Sequence, residues 1–298
     1  MRRFIVTASL GMLLASCTTA PPAPVAPTRP VAGKPMPYRW TQGNAPQAHK
    51  DAVAIFGPLR LAPGDFRWAP NVPTAGETRV VIDLLTQLFY VYRGEQLVGV
   101  ATISSGKKGD ETPMLTSVIH SVVINPPWNV PSRIAREELW PKEKAEPGYL
   151  ARNNYRIIPV EGGQPRLQQA SGDSSALGRF KFDFDNPFAV YLHDTPSKGG
   201  FDLYARQASH GCVRVEKPRA LAEALLEGDA TWTPEAIDKQ LEGDKTVRAR
   251  LTNQVPVFIF YWTAFAGGDG QMNFRSDPYN WDRELLQRVG VLAAGTKV

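Results

Sequence analysis

Two histidines and a cysteine are crowded into one short stretch of this chain. The sequence runs Tyr191-Leu192-His193-Asp194, and fifteen residues separate His193 from Ser209-His210-Gly211-Cys212-Val213-Arg214. Only four histidines and two cysteines occur in the 298 residues. A thiol is mostly protonated near neutral pH, and its nucleophilicity belongs to the thiolate. An imidazole within hydrogen-bond reach can take that proton and later return it to a leaving amine. The cluster therefore points to nucleophilic acyl transfer with Cys212 as the attacking atom. His193 ends an expected strand and Cys212 opens another, so two adjacent strand ends can bring imidazole and sulfur together. His210 lies two residues from Cys212, on the same side of an extended chain, and suits a supporting role. Gly211 lacks a Cβ, which permits a tight turn, and the N–H groups of Gly211 and Cys212 could hold a developing oxyanion.

The same residues could ligate zinc. However, a fourth ligand at regular metal spacing is not evident, and one cysteine is a poor soft-ligand set. No metal and no cofactor is expected.

The elements that must position the cluster read mainly as strands. Runs of β-branched and aromatic residues occupy 79–85, 88–93, 96–105, 116–124, 155–160, 180–184, 188–193, 255–263 and 272–275. Arg93-Gly94-Glu95 is a hairpin-type turn. Helices are few: Pro218 opens one through 226, and Thr233-Pro234 reads as an N-cap followed by proline at the first helical position. The fold class is mainly β, a β-sandwich-like mixed-sheet core with a few decorating helices. Residues 126–154 interrupt the strands with Trp128, Trp140 and several prolines, an insertion of the length that often forms an active-site lid.

The sequence is 43% hydrophobic and 21% charged, ordinary values for a globular chain. Its net charge of +5 and pI of 9.2 come from scattered residues without a basic run, so nucleic acid is not an expected partner. Arg2 and Arg3 precede a short apolar stretch, which reads as a cleaved secretory signal. Leu14-Ala15-Ser16-Cys17 resembles the lipobox of bacterial lipoproteins, which implies lipid on Cys17. Thr18, with no aspartate beside the lipid site, favours the periplasmic face of the outer membrane. Cys212 is then the only free thiol in an exported protein, where an intramolecular disulfide has no partner. The expected layout is a signal at 1–17, a proline-rich tether at 18–37, and an irregular flank at 38–75. A catalytic domain at 76–265 and an extension at 266–298 follow. A non-catalytic wall-binding lipoprotein is the rival reading; it leaves the Ser-His-Gly-Cys cluster without a purpose.

The pattern from His193 through Ser209-His210-Gly211-Cys212 to Arg214 resembles the L,D-transpeptidase catalytic domain, the YkuD family. Val81-Ile82-Asp83-Leu84 with Phe89-Tyr90-Val91-Tyr92 is similar to the family's first hairpin, and residues 105–113 to its glycine-rich loop. Residues 125–131 and 148–153 resemble the subgroup that carries a capping insertion. The likeness runs from about 67 to 282. Members of that subgroup usually add a peptidoglycan-binding module; none is recognised here, and the lipid tether is expected to stand in for it. The resemblance implies attack by Cys212 on the third residue of a peptidoglycan stem peptide and a thioester intermediate. A second stem's amine would then resolve it, giving a 3-3 cross-link. It also implies His193 as base and acid, oriented by the carbonyl of Asp194. Tyr191, Asp194, Ser209 and Arg214 would line or buttress the substrate site, and carbapenem-type inhibitors would bind. Water as acceptor would make the enzyme a carboxypeptidase, and a lipoprotein lysine would make it an anchoring or releasing enzyme.

Overall fold

The computed structural model describes residues 38–40, 66–68, 76–203, 205–266 and 272–291. The expected signal, Cys17 and the tether lie outside them.

Sixteen strands are present among the described residues. Two short ones, β1 (Tyr38–Trp40) and β2 (Phe66–Trp68), precede the hairpin of β3 (Thr78–Asp83) and β4 (Leu88–Arg93). Arg93 pairs with Gln96 around Gly94, whose φ of +57° suits glycine, and the chain returns as β5 (Gln96–Gly106). Next come β6 (Leu115–Ile124), β7 (Trp128–Asn129), β8 (Tyr155–Ile158), β9 (Arg166–Gln169) and β10 (Phe180–Phe184). The stretch that carries the clustered histidines and Cys212 supplies β11 (Leu192–His193), β12 (Gln207–Ser209) and β13 (Val213–Val215). A 14-residue β14 (Val247–Phe260), β15 (Ala264–Ala266) and β16 (Met272–Phe274) complete the set.

The main sheet runs β5-β13-β11-β10-β6-β14-β3-β4, and β4 pairs again with β5, so the path closes on itself. The fold is mainly β and mixed, as expected, but one curled sheet does the work of two sandwich layers. Its inward side chains form one core that draws on all eight strands of that path, with Phe180, Phe182 and Phe184 on one face of β10. Burying each such side chain contributes roughly 1.5–3 kcal/mol. The helix expected from Pro218 spans Pro218–Leu226 and seals this core with Leu221, Ala222, Leu225 and Leu226. Thr233 caps the next one, Pro234–Leu241, by accepting the Ala236 N–H at 3.2 Å.

The insertion is larger than 126–154. Strands β7, β9 and β8 form their own three-stranded sheet, so the 155–160 run, expected in the main sheet, belongs to the insertion. Its helical arm begins as α1 (Ser132–Ile134), passes through a wider π-helical turn at Ala135–Leu139, and continues as α2 (Trp140–Ala145). Within that turn Trp140 N–H reaches back five residues to the Ala135 carbonyl. Pro141 follows and has no N–H to donate, which removes the four-residue bond to 137. After α3 (Tyr149–Arg152), the insertion closes around its own small core of Val130, Ile134, Leu139, Leu150 and Leu167.

One expected strand is mostly lost. Residues 188–191 form a loop rather than the start of β11, because the Asn186 side chain accepts from Val190 N–H and donates to Val190 O. Ala189 there sits at φ +55°, which a ladder cannot use.

Candidate active site

Strand β5 organises the site. Its first half pairs with β4; then Ile103 and Ser104 pair with β13 on one edge, while Ser105 and Gly106 pair with β12 on the other. The Ser-His-Gly-Cys turn is thereby held between β12 and β13. On the far side of β13 the parallel β11 sets Leu192 against Val213 and His193 against Arg214. Carrying that register one residue back puts Tyr191 beside Cys212. Side chains alternate along a strand, so Tyr191, His193, Cys212 and Arg214 share one face. All four line one cavity of about 610 Å³.

His193 is buried, and its Nδ1 lies 2.5 Å from the Asp194 carbonyl. A carbonyl can only accept, so Nδ1 carries the hydrogen and Nε2 keeps its lone pair. Burial, followed by the charge of Arg214, lowers the His193 pKa from 6.5 to about 3. Burial also raises the Cys212 thiol, opposed by hydrogen bonds from the Tyr191 backbone and phenol and by the charges of Lys181 and Arg214. Both shifts favour neutral partners: a thiol and an imidazole base, not a standing ion pair.

Tyr191 links several groups. Its ring edge meets His193 at a centroid distance of 5.6 Å, and Lys181 Nζ sits 4.3 Å over its face. Burial and then the nearby Cys212 raise its phenol pKa, and Trp128 of the insertion opposes the rise. Arg214 Nε is buried with no hydrogen-bond partner among the described residues, and no carboxylate pairs with its guanidinium there. Arg214 thus lines the cavity without a salt-bridge partner among the described residues.

Three expectations need correction. The Gly211 N–H donates to Ser209 Oγ at 3.2 Å, so of the two expected oxyanion donors only the Cys212 N–H is uncommitted among the described residues. Gly211 is required for its φ of +109°, since an added Cβ would meet nothing closer than 3.8 Å. Asp194 is not at the cavity: its carboxylate accepts the N–H of Arg179 (2.8 Å) and Thr195 (2.7 Å) and pairs with Lys198. Only its backbone carbonyl serves the site. His210 does not follow an extended chain beside Cys212, because Gly211 turns the backbone. Its Nε2 meets Glu138 Oε1 of the insertion at 2.6 Å and Lys107 Nζ at 3.2 Å. Ser209 is a buttress, its Oγ donating to the Cys212 carbonyl at 2.5 Å.

Sequence reasoning missed the roles of Thr112, Lys181 and Glu138. The buried Thr112 hydroxyl donates to the Gly211 carbonyl at 2.9 Å and accepts the Gly106 N–H at 2.8 Å, clamping the Ser-His-Gly-Cys turn. Its only signal was membership of the glycine-rich loop. The insertion lies over the cavity, contributing Trp128, Tyr149 and Tyr155, and pairs Arg133 with Asp110 of that loop. No cluster of three metal-binding side chains occurs among the described residues.

A buried imidazole with a free lone pair, beside a thiol under a roofed cavity, can run acyl transfer through a thioester. The chain belongs to the YkuD family, the L,D-transpeptidase catalytic domain, whose family model matches residues 77–239. A Haemophilus influenzae protein classed provisionally as an L,D-transpeptidase is 36% identical over 222 residues, covering 69% of this chain and 45% of that protein. The chain thus spans less than half the length of that curated relative. Among solved structures, an L,D-transpeptidase from Mycobacterium smegmatis matches with TM-score 0.32 and 16% identity, covering 62% of this chain and 58% of that one. L,D-transpeptidase 3 from Mycobacterium tuberculosis, in complex with a faropenem-derived adduct, matches with TM-score 0.29 and 13% identity, covering 61% and 59%.

Proposed function

We propose that this protein is a peptidoglycan L,D-transpeptidase that joins the third residues of two stem peptides through a thioester on Cys212. The observation that carries the reading is the shared face of Tyr191, His193, Cys212 and Arg214 beneath the insertion. In the first half-reaction the thiol proton passes to His193 Nε2 while sulfur attacks the carbonyl carbon of the third residue. The Cys212 N–H is positioned to donate to the oxyanion. Collapse breaks the amide bond, the imidazolium returns its proton to the departing D-alanine amine, and the thioester remains. In the second half-reaction an amine of another stem attacks the thioester and the thiolate is released. Arg214 is the receptor for a stem carboxylate, as a guanidinium without a carboxylate partner would be. The insertion acts as a cap that shields the thioester from water. This reading includes export and lipid anchoring through Cys17 at the periplasmic face of the outer membrane, with no cofactor, and covalent capture of carbapenems at Cys212.

Incubation with defined tetrapeptide muropeptides, followed by mass spectrometry, tests the assignment. The expected main product is a dimer joined through two third residues, and deleting the insertion should shift products toward tripeptide. Tripeptide alone from the intact enzyme would mark a carboxypeptidase, and release of a wall-linked lipoprotein an amidase.

A further inference from the structure

The cavity is lopsided in charge. Lys142 and Arg214 line it as cations with no carboxylate partner among the described residues, Arg133 lines it paired with Asp110, and Glu138 is the one carboxylate in the described lining. That balance suits the carboxylates of a peptide stem but repels an incoming ammonium everywhere except near Glu138. Glu138 sits in the π-helical turn of the insertion, a feature that recurs at functional sites because it re-aims side chains at some cost in regular bonding. Its Oε1 is held by His210 Nε2 at 2.6 Å, which fixes the carboxylate in the wall of the cavity that Cys212 also lines. Its Oε2 accepts no hydrogen bond among the described residues, and the side chain stays 37% exposed.

We propose that Glu138 is the acceptor subsite: its free carboxylate oxygen binds the primary ammonium of the second peptide stem and sets it against the Cys212 thioester. The inference rests on the transpeptidase reading above. Glu138 is a positioning residue for the second half-reaction and has no part in forming the thioester. The bound ammonium first gives one proton to solvent. Its nitrogen then attacks the thioester carbon, a C–N bond forms and the C–S bond breaks. His193 takes the second amine proton and passes it to the leaving thiolate. The net change converts an ammonium and a thioester into an amide, a thiol and one released proton. Binding at the insertion also explains selectivity over water, which gains nothing from a carboxylate at that place.

The test separates the two half-reactions with full-length wild type, Glu138→Gln and Glu138→Asp. Acylation by a tetrapeptide donor alone reports on the first, and the acceptor-concentration dependence of dimer formation on the second. A hydrogen bond to a charged partner changes binding by roughly ten- to a hundredfold, so the acceptor KM of Glu138→Gln should rise by about that factor. Glu138→Asp should recover part of it. Hydroxylamine, largely uncharged at neutral pH, should resolve the thioester equally well in wild type and Glu138→Gln. An unchanged acceptor KM in Glu138→Gln, with wild type making dimers, overturns this inference alone. An equal loss toward hydroxylamine and stem amine also overturns it, because the defect would then be structural. Wild type that yields only tripeptide removes the transpeptidase reading and this subsite with it.

Discussion

His193 and Arg214 stand directly opposite each other in the parallel pairing of β11 and β13, which adds the charge of a guanidinium to the burial of the imidazole. The guanidinium reinforces burial in keeping the imidazole neutral, with a pKa of about 3 against 6.5 for a free histidine. Acylation should therefore continue well below pH 6.5, where an ordinary histidine base would already be protonated. Stability, by contrast, falls over that range. Between about 3 and 6.5 the unfolded chain binds a proton that the native state refuses, so this contribution is complete above pH 6.5 and lost as pH falls toward about 3. Single-turnover carbapenem acylation against pH checks the first point. An acid limb at or above pH 6.5 would show that the imidazole is not held in this way.

The nucleophile and base can be separated by substitution. Cys212→Ala should abolish turnover and the carbapenem mass adduct while leaving the fold intact, since Tyr191 is the one hydrogen-bonding neighbour of the thiol among the described residues. His193→Ala should slow acylation by about a hundred- to ten-thousandfold, the usual worth of a positioned proton carrier. His210→Ala should affect acylation far less, because its ring is engaged with Glu138 and Lys107. Equal losses in the two histidine variants would refute the division of roles.

Thr112 offers a test of the clamp on the catalytic turn. Thr112→Val keeps the shape but strands the Gly106 N–H and the Gly211 carbonyl, each at a cost of about 1–3 kcal/mol. Chemical denaturation should register the loss and acylation should slow with it. Thr112→Ser keeps the hydroxyl and should restore both. A valine variant within about 0.5 kcal/mol of wild type, the range of an unremarkable surface change, would dismiss the clamp.

The proposed lipid anchor has its own measurement. Wild-type protein should fractionate with membranes and carry acyl mass on Cys17, and Cys17→Ser should release it or block its processing. Recovery of unmodified wild type in the soluble periplasmic fraction would contradict the anchor.

What the sequence determined by itself is whatever short-range rules control. Leu88–Arg93 and Pro218–Leu226 were legible because β-branched and aromatic runs, a turn glycine and a proline at the first helical position act over a few residues. The candidate nucleophile was legible for a chemical reason: one thiol beside two histidines is rare in any composition. The neutral tautomer of His193 also follows locally, since its partner is the next residue's carbonyl. The remainder was decided by the tertiary structure. The 155–160 run has strand composition, but only its pairing with Arg166–Gln169 assigns it to the insertion rather than the main sheet. The 188–191 run has strand composition too, yet Asn186 bonds fold it into a loop. Thr112 reaches Gly211 across 99 positions and Glu138 reaches His210 across 72, distances over which no periodicity or propensity carries information. Such pairs exist only because the closed sheet and the insertion bring remote segments within hydrogen-bond range, and hydrogen bonds act over about 3 Å of space regardless of separation along the chain.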